Sequence, residues 1–327
     1  MQFLDIILNI LSSGLPCCLL ALGIFLTYRL LDFADLTAEG SFLIGAAVSG
    51  VMIYNGLNPW LATLISLLSG AVCGFITGAL NRWLKIPKLL SGIITMTASA
   101  SIAMLIMGTA NGNDSIFKAQ VSFDTTYQGS QQTIYSLLYP WTDAGDVYVV
   151  IAPWGDVIKV AIMLAVVVIV MIAIYFFFGT QYGMAIRATG MNEKMARSQG
   201  INTDIASIVC VALANALIAL AGSLYVQEAK TVSTISATGY LVVGLASILV
   251  GEAIFGKRSF KNWIISVALG SIVYFVIVTI ATRLGLPTEL KSLLYAVLIT
   301  LALCIPFITE FNKKMKRKKM EGKACSN

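Results

Sequence analysis

The chain has no histidine among its 327 residues, and only 12% of them carry charge. The first absence excludes an imidazole zinc site and a histidine proton relay. The second leaves about half the charged share of a soluble globular chain. With 58% apolar residues and a mean hydropathy of +0.85, a soluble fold is excluded as well. Cysteine is also sparse. Of Cys17, Cys18, Cys73, Cys210, Cys304 and Cys325, five fall in apolar runs and one in the tail. They read as small buried hydrophobes, not as a disulfide frame or a metal cage. The N-terminus lacks the basic start and small-residue cleavage pattern of a signal peptide and is expected to stay uncleaved.

No catalytic set, metal site or cofactor motif is expected. The nearest approach is Gly251-Glu252-Ala253-Ile254-Phe255-Gly256-Lys257, which matches the first seven positions of a phosphate-binding loop. The next position needs Ser or Thr to hold magnesium, and here it is Arg258. The segment also closes a hydrophobic span instead of following a strand.

What is present is a series of uncharged runs: 89–113, 160–186, 205–227, 231–251 and 262–282. Each is long enough to cross a hydrocarbon layer of about 30 Å as a helix. The pattern predicts an all-α polytopic membrane protein with nine spans, near 12–30, 39–55, 59–81, 88–109, 157–179, 204–227, 238–255, 262–283 and 290–309. Residues 1–11 are read as an interfacial or continuing helix, with Gly14 and Pro16 bending the chain after it.

Charge gives the orientation. Residues 311–327 hold seven basic side chains (Lys313, Lys314, Lys316, Arg317, Lys318, Lys319 and Lys323) against Glu321, which accounts for the whole net charge of +6. Such a tail marks the cytoplasmic side, where anionic membrane lipid also attracts it, and nucleic acid is not its expected partner. Lys and Arg also gather at 82–88, 187–197 and 257–261. The loop at 111–156 instead carries Asp114, Asp124, Asp143, Asp146 and Asp156 against Lys118. Nine spans ending on a cytoplasmic tail put every basic segment inside and the acidic loop outside. The permease domain is 1–310 and the tail 311–327. In the outer loop, 147–151 reads as a short strand, and the loop is either a lid or a platform for an external binding protein.

The charged break between two long apolar runs is the most informative stretch. A short helix there is expected to expose Asn192, Glu193 and Arg197 while Met191 and Met195 pack underneath. Elsewhere, Ser91, Thr95 and Ser99 form one hydroxyl stripe, and Thr97 and Ser101 a second. Either stripe lines a wet path or packs helices. Gly70-x-x-x-Gly74-x-x-x-Gly78 is a ridge for close helix contact. Asn215 is a helix–helix hydrogen bond or a path-lining group. Arg29, Asp32, Asp35 and Glu39 make either a cytoplasmic loop or part of a substrate route, and Asp35 and Glu39 are expected towards cytoplasmic span ends.

Gly183-Met184-Ala185-Ile186-Arg187-Ala188, then Asn192-Glu193, then Ala196-Arg197-x-x-Gly200-Ile201, resembles the cytoplasmic loop of ABC importer permeases of the branched-chain amino acid and ribose type. Asp35-Leu36-Thr37-Ala38-Glu39-Gly40-Ser41-Phe42 with Gly45-Ala46-Ala47 looks like the family's first re-entrant region. Leu89-Leu90-Ser91-Gly92-Ile93-Ile94-Thr95-Met96-Thr97 resembles the subgroup often paired with tryptophan/tyrosine-type binding proteins. The resemblance covers about 12–310. It implies a bundle with two inverted halves and room for broken or re-entrant helices. The implied partners are a second permease chain (a homodimer), cytoplasmic ATP-binding subunits and an extracytoplasmic substrate-binding protein.

On that reading the chain is a non-enzymatic plasma-membrane importer subunit for a small polar solute, an amino acid, with aromatic ones in view. Its coupling loop spans 180–203, with Arg187, Asn192, Glu193, Ala196, Arg197 and Gly200 meeting the ATPase. Asp35, Thr37, Glu39, Ser91, Thr95, Ser99 and Asn215 mark the substrate path. An ion-coupled carrier or facilitator is the alternative, and the lack of carboxylates inside most spans argues against it.

Overall fold

A computed structural model of the chain describes residues 2–110, 120–122, 133–134, 148–233, 239–256, 259–283, 297 and 300. Helix α1 (Gln2–Phe25) runs through Pro16 without a break and continues as a π turn, Leu26–Leu30. Then come α2 (Thr37–Tyr54), α3 (Pro59–Arg82) and α4 (Lys88–Ala110). Next are strand β1 (Gln120–Ser122), α5 (Tyr148–Phe177) and the short pair α6 (Gln181–Met191) and α7 (Glu193–Ser198). The remainder is α8 (Thr203–Ala229), β2 (Thr231–Ser233), α9 (Tyr240–Phe255) and α10 (Phe260–Arg283).

Among the described residues, seven helices are long and apolar enough to cross a membrane, and α9 is a shorter apolar one of 16 residues. These are the first eight expected spans. Of the ninth, 290–309, only residues 297 and 300 are described, and the tail and most of the outer loop lie outside the described residues. The expected strand at 147–151 is instead the opening of α5, which starts at Tyr148. Its β-branched residues continue directly into a 30-residue helix, so helical propagation wins over local strand preference.

Local chemistry fixes several helix starts. Asn58 caps α3 by accepting from the Trp60 amide at 3.0 Å, with Pro59 at the first helical position. Asn202 caps α8 through the Ile205 amide at 3.2 Å.

Helices α1, α2 and α8 form the interior, while α4 and α5 are largely exposed. The glycine ridge of α3 lies against α8: a methyl at Gly74 would run into the Val211 carbonyl, and one at Gly70 into Asn215 and Ala219. Backbones this close are how helices gain contact where lipid supplies no hydrophobic drive. Ser66 adds its hydroxyl, 2.9 Å from Gly45 O on α2 and 3.0 Å from Ala219 O on α8.

One end of the bundle collects Arg29, Arg82, Lys88 and the α6–α7 pair, and is called the basic end below. The far end carries a two-stranded antiparallel ribbon with Val121 opposite Val232. Val232 is buried and faces Gly50 on α2.

Candidate functional site

Two features stand out once the helices are placed: a helical hairpin at the basic end, and two helices that start inside the bundle. In the hairpin, Asn192 both ends α6 and caps α7, accepting from the Met195 amide at 3.1 Å. Arg82, at the last turn of α3, donates to Glu193 Oε1 at 2.6 Å. Arg197 reaches Glu193 at 3.2 Å, Asp204 at 2.8 Å and the Thr203 hydroxyl at 2.7 Å. Partial burial pushes the Glu193 carboxyl up. The Arg82 hydrogen bond and the charges of Arg82, Arg197 and Lys88 outweigh it and hold the group below its ordinary range.

Two further contacts tie α6 down. The Arg187 guanidinium stands 4.5 Å over the Phe260 ring at the start of α10. Gly190 lies against the Leu30 carbonyl and Leu31, where any Cβ would collide. Gly200, at φ +81°, turns the chain out of α7, and the Ile201 amide returns to Ala196 O at 3.1 Å. The hairpin is therefore clamped to the ends of α1, α3, α8 and α10.

Its outward face is only partly the one expected, because the methionines lie on it too. Met191 and Met195 are 89% and 62% exposed, whereas Ala196, Ile186, Gly183 and Thr189 form the underside. Asn192 and Arg197 are exposed as expected, while Glu193 is half-buried where Arg82 reaches it. Small residues fit beneath the hairpin better than methionine would.

The second feature begins where the π turn ends. The Phe33 amide bonds back to Thr27 O at 3.0 Å, so the chain reverses and climbs into the bundle before α2 starts. Asp35 is 5% exposed and accepts from the Thr37 amide at 2.9 Å and from the Asn215 amide at 2.7 Å. Asn215 lies halfway along the 27-residue α8, about 18 Å from its start at 1.5 Å per residue. Asp35 is thus deep in the bundle, not at a span end as expected. The reversal cannot be read from charge alone. An ionised carboxyl buried among apolar helices is costly, so its donors matter. Thr37 extends the polar cluster through Thr77, 2.8 Å between hydroxyls.

Helix α9 also starts short of its neighbours. Tyr240 packs beside Tyr274 and Val278, and α10 runs on to Arg283. The Gly239 amide at its N-terminus donates to Glu39 Oε1 at 3.1 Å, so Glu39 also lies deeper than expected. Phe42, Tyr225 and Tyr240 surround this junction, with Phe42 and Tyr240 stacked at 4.3 Å and Tyr225 5.4 Å from Tyr240. Towards the far end, Ser223 meets Ser49 at 2.8 Å, and the Gln227 carbonyl accepts from the Ile134 amide at 3.0 Å. Sequence reading missed the aromatic trio because its members lie in three separate segments. The short hydrophobic run of α9 was the available signal.

The hydroxyl stripe is closed. Ser91, Thr95 and Ser99 are buried, each bonded to a carbonyl of its own helix, and Ser99 fills the space that Gly40 leaves open on α2. Thr97 and Ser101 are exposed and likewise bonded within α4. Of the expected path residues, Glu39 is the one that stays partly exposed.

A polytopic helical membrane protein with helices that begin within the bundle and a clamped hairpin at one end has the build of a permease. The chain belongs to the family described as branched-chain amino acid transport system / permease component, whose model matches residues 6–303. Among its relatives is the tyrosine transport system permease protein of Clostridioides difficile, 31% identical over 97% of this chain and 95% of that one. The galactofuranose transporter permease protein YtfT of Escherichia coli is 24% identical over 91% of this chain and 78% of that one. The fructose import permease protein FruF of Bifidobacterium longum is 24% identical over 87% and 73%.

Proposed function

We propose that this chain is the membrane subunit of an ATP-driven importer that carries an amino acid, aromatic ones foremost, into the cytoplasm. The observation that carries the reading is the hairpin. It offers Met191 and Met195 outward while its inner side is fastened to α1, α3, α8 and α10. A cytoplasmic ATP-binding subunit gripping the methionines would move those helix ends together, and flexible thioethers suit such a contact. Arg187, Asn192, Glu193, Ala196, Arg197 and Gly200 shape the lever from within. The basic end then faces the cytoplasm, as the positive-inside rule requires.

The substrate route passes the junction of α2 and α9. There two helix N-termini, each with a partial positive charge, come together beside Glu39 and an aromatic wall. A zwitterion with a ring suits that environment. The tyrosine permease relative supports an amino acid, and the sugar permease relatives are the competing outcome. An extracytoplasmic binding protein delivers the substrate, and a second copy of the chain completes the pathway.

Proteoliposomes containing the permease, its ATPase and its binding protein provide the test. Tyrosine uptake that needs ATP, and that other aromatic amino acids inhibit, is expected. Uptake of sugar alone would overturn the substrate. Uptake without nucleotide that collapses with an ion gradient would restore the secondary carrier, a reading that the deep position of Asp35 keeps in play.

A further inference from the structure

The climb from the π turn into α2 carries an acid that neither the lever nor the route uses. Among the described residues, no Lys or Arg lies within ion-pair distance of Asp35. Lys88 donates to Asp32 O, Arg29 pairs with Glu252, and Arg82 with Glu193. The other titratable groups on the helices packed around it include Cys17 and Cys18 on α1, Glu39 and Tyr54 on α2, Cys73 on α3, and Asp204, Cys210, Tyr225 and Glu228 on α8, none of them cationic.

Beside this acid stands an orphan. Asn215 is fully buried, and its Oδ1 has no hydrogen-bond partner. Turning the amide over does not help. Its Nδ2 already serves two acceptors, Asp35 Oδ2 at 2.7 Å and Val211 O at 3.0 Å, and the exchange would set oxygen against both. A buried carbonyl without a donor and an acid with spare acceptor capacity lack one hydrogen between them.

We propose that this hydrogen is a proton held on Asp35. The two side chains then pair as carboxylic acid and carboxamide: Asn215 gives an N–H to Asp35, and Asp35 gives its O–H to Asn215 Oδ1. The pair is a proton-binding site that fastens the start of α2 to the middle of α8 without a charge in the apolar interior. It stands independently of the transported solute and of ATP coupling.

Infrared spectroscopy tests it on the purified permease in lipid nanodiscs, with aspartate carboxyls labelled with carbon-13. A carboxylic-acid carbonyl band that shifts with the label at neutral pH, and is lost in Asp35→Asn, is expected. Asp35→Asn keeps the two-way pairing with Asn215 but sets an NH2 against the Thr37 amide that Oδ1 accepts, so its thermal midpoint falls, though less than in Asp35→Ala and Asn215→Leu. The proposal is overturned if labelled wild-type protein shows only carboxylate bands, or if the acid band survives in Asp35→Asn. It is equally overturned if Asp35→Asn fails to fold while Asp35→Glu is tolerated.

Discussion

Arg82 and Glu193, 111 positions apart, meet at 2.6 Å and join the end of α3 to the first turn of α7. The Arg82 side chain is mostly buried and that of Glu193 is 40% exposed, so one partner is anchored and the other accessible. This arrangement suits a joint that must transmit displacement without being welded.

A double-mutant cycle of Arg82→Ala and Glu193→Ala is expected to give a coupling of about 0.5–1 kcal/mol in unfolding experiments, because solvent screens a pair this exposed. Strictly additive single effects would show that the ion pair does not hold the hairpin.

The depressed Glu193 carboxyl sets a pH dependence. Its folded pKa lies below the unfolded value, so the stabilisation is fully present above about pH 4.3 and fades as pH falls through the folded pKa. Hydrogen exchange of the hairpin amides should stay slow from neutral pH down to about pH 5, and opening should rise only below about pH 4. With no histidine in the chain, no imidazole can produce a hairpin transition near pH 6.5.

Met191→Asp combined with Met195→Asp is expected to leave folding within about 0.5 kcal/mol of wild type, since both side chains are exposed. Capture of the ATP-binding subunit by the immobilised permease should weaken by about tenfold or more, equivalent to about 1.4 kcal/mol. Unchanged capture would remove the methionine face from the docking surface.

Gly74→Ala should destabilise by about 1–3 kcal/mol, because the added methyl meets the Val211 backbone and α3 must move away from α8. Gly108 has nothing within 4 Å of the same added atom, so Gly108→Ala should be neutral or stabilise by up to about 1 kcal/mol. Thermal midpoints of the two variants give the comparison, and equal losses would contradict the close α3–α8 contact.

Glu39→Ala removes the acceptor for the Gly239 amide. Uptake in proteoliposomes is expected to drop about tenfold, a barrier change of about 1.4 kcal/mol. Folded yield should fall far less. Wild-type uptake in this variant would move the route away from the α2–α9 junction.

Much of this architecture was readable in advance. Uncharged runs locate α4, α5, α8, α9 and α10 because a helix crossing lipid must be apolar along its length, and Lys and Arg gather where α3 ends and α4 begins. The glycine ridge declared its partner-seeking face through its spacing alone. The depth of Asp35 was hidden, because the reversal after Leu30 depends on a backbone bond between Phe33 and Thr27 that leaves no mark in residue types. The methionines were placed wrongly for a different reason. Apolar residues in a surface helix were assigned to the underside, but Ala196, Ile186 and Gly183 already fill it, and the methionines share the outer face with Asn192 and Arg197. Pairing of Val121 with Val232 was invisible because three-residue strands carry no periodicity, while 148–151 of the more strand-like stretch proved helical.

The far-end ribbon splices the segment after α4 to the segment before α9. Traction on residues 120–122 is handed across the strand pairing to 231–233, six to eight residues before the Gly239 amide donates to Glu39. On the orientation and route proposed above, a body settling on the far end would therefore tug on the mouth of the passage, with no need to reach inside.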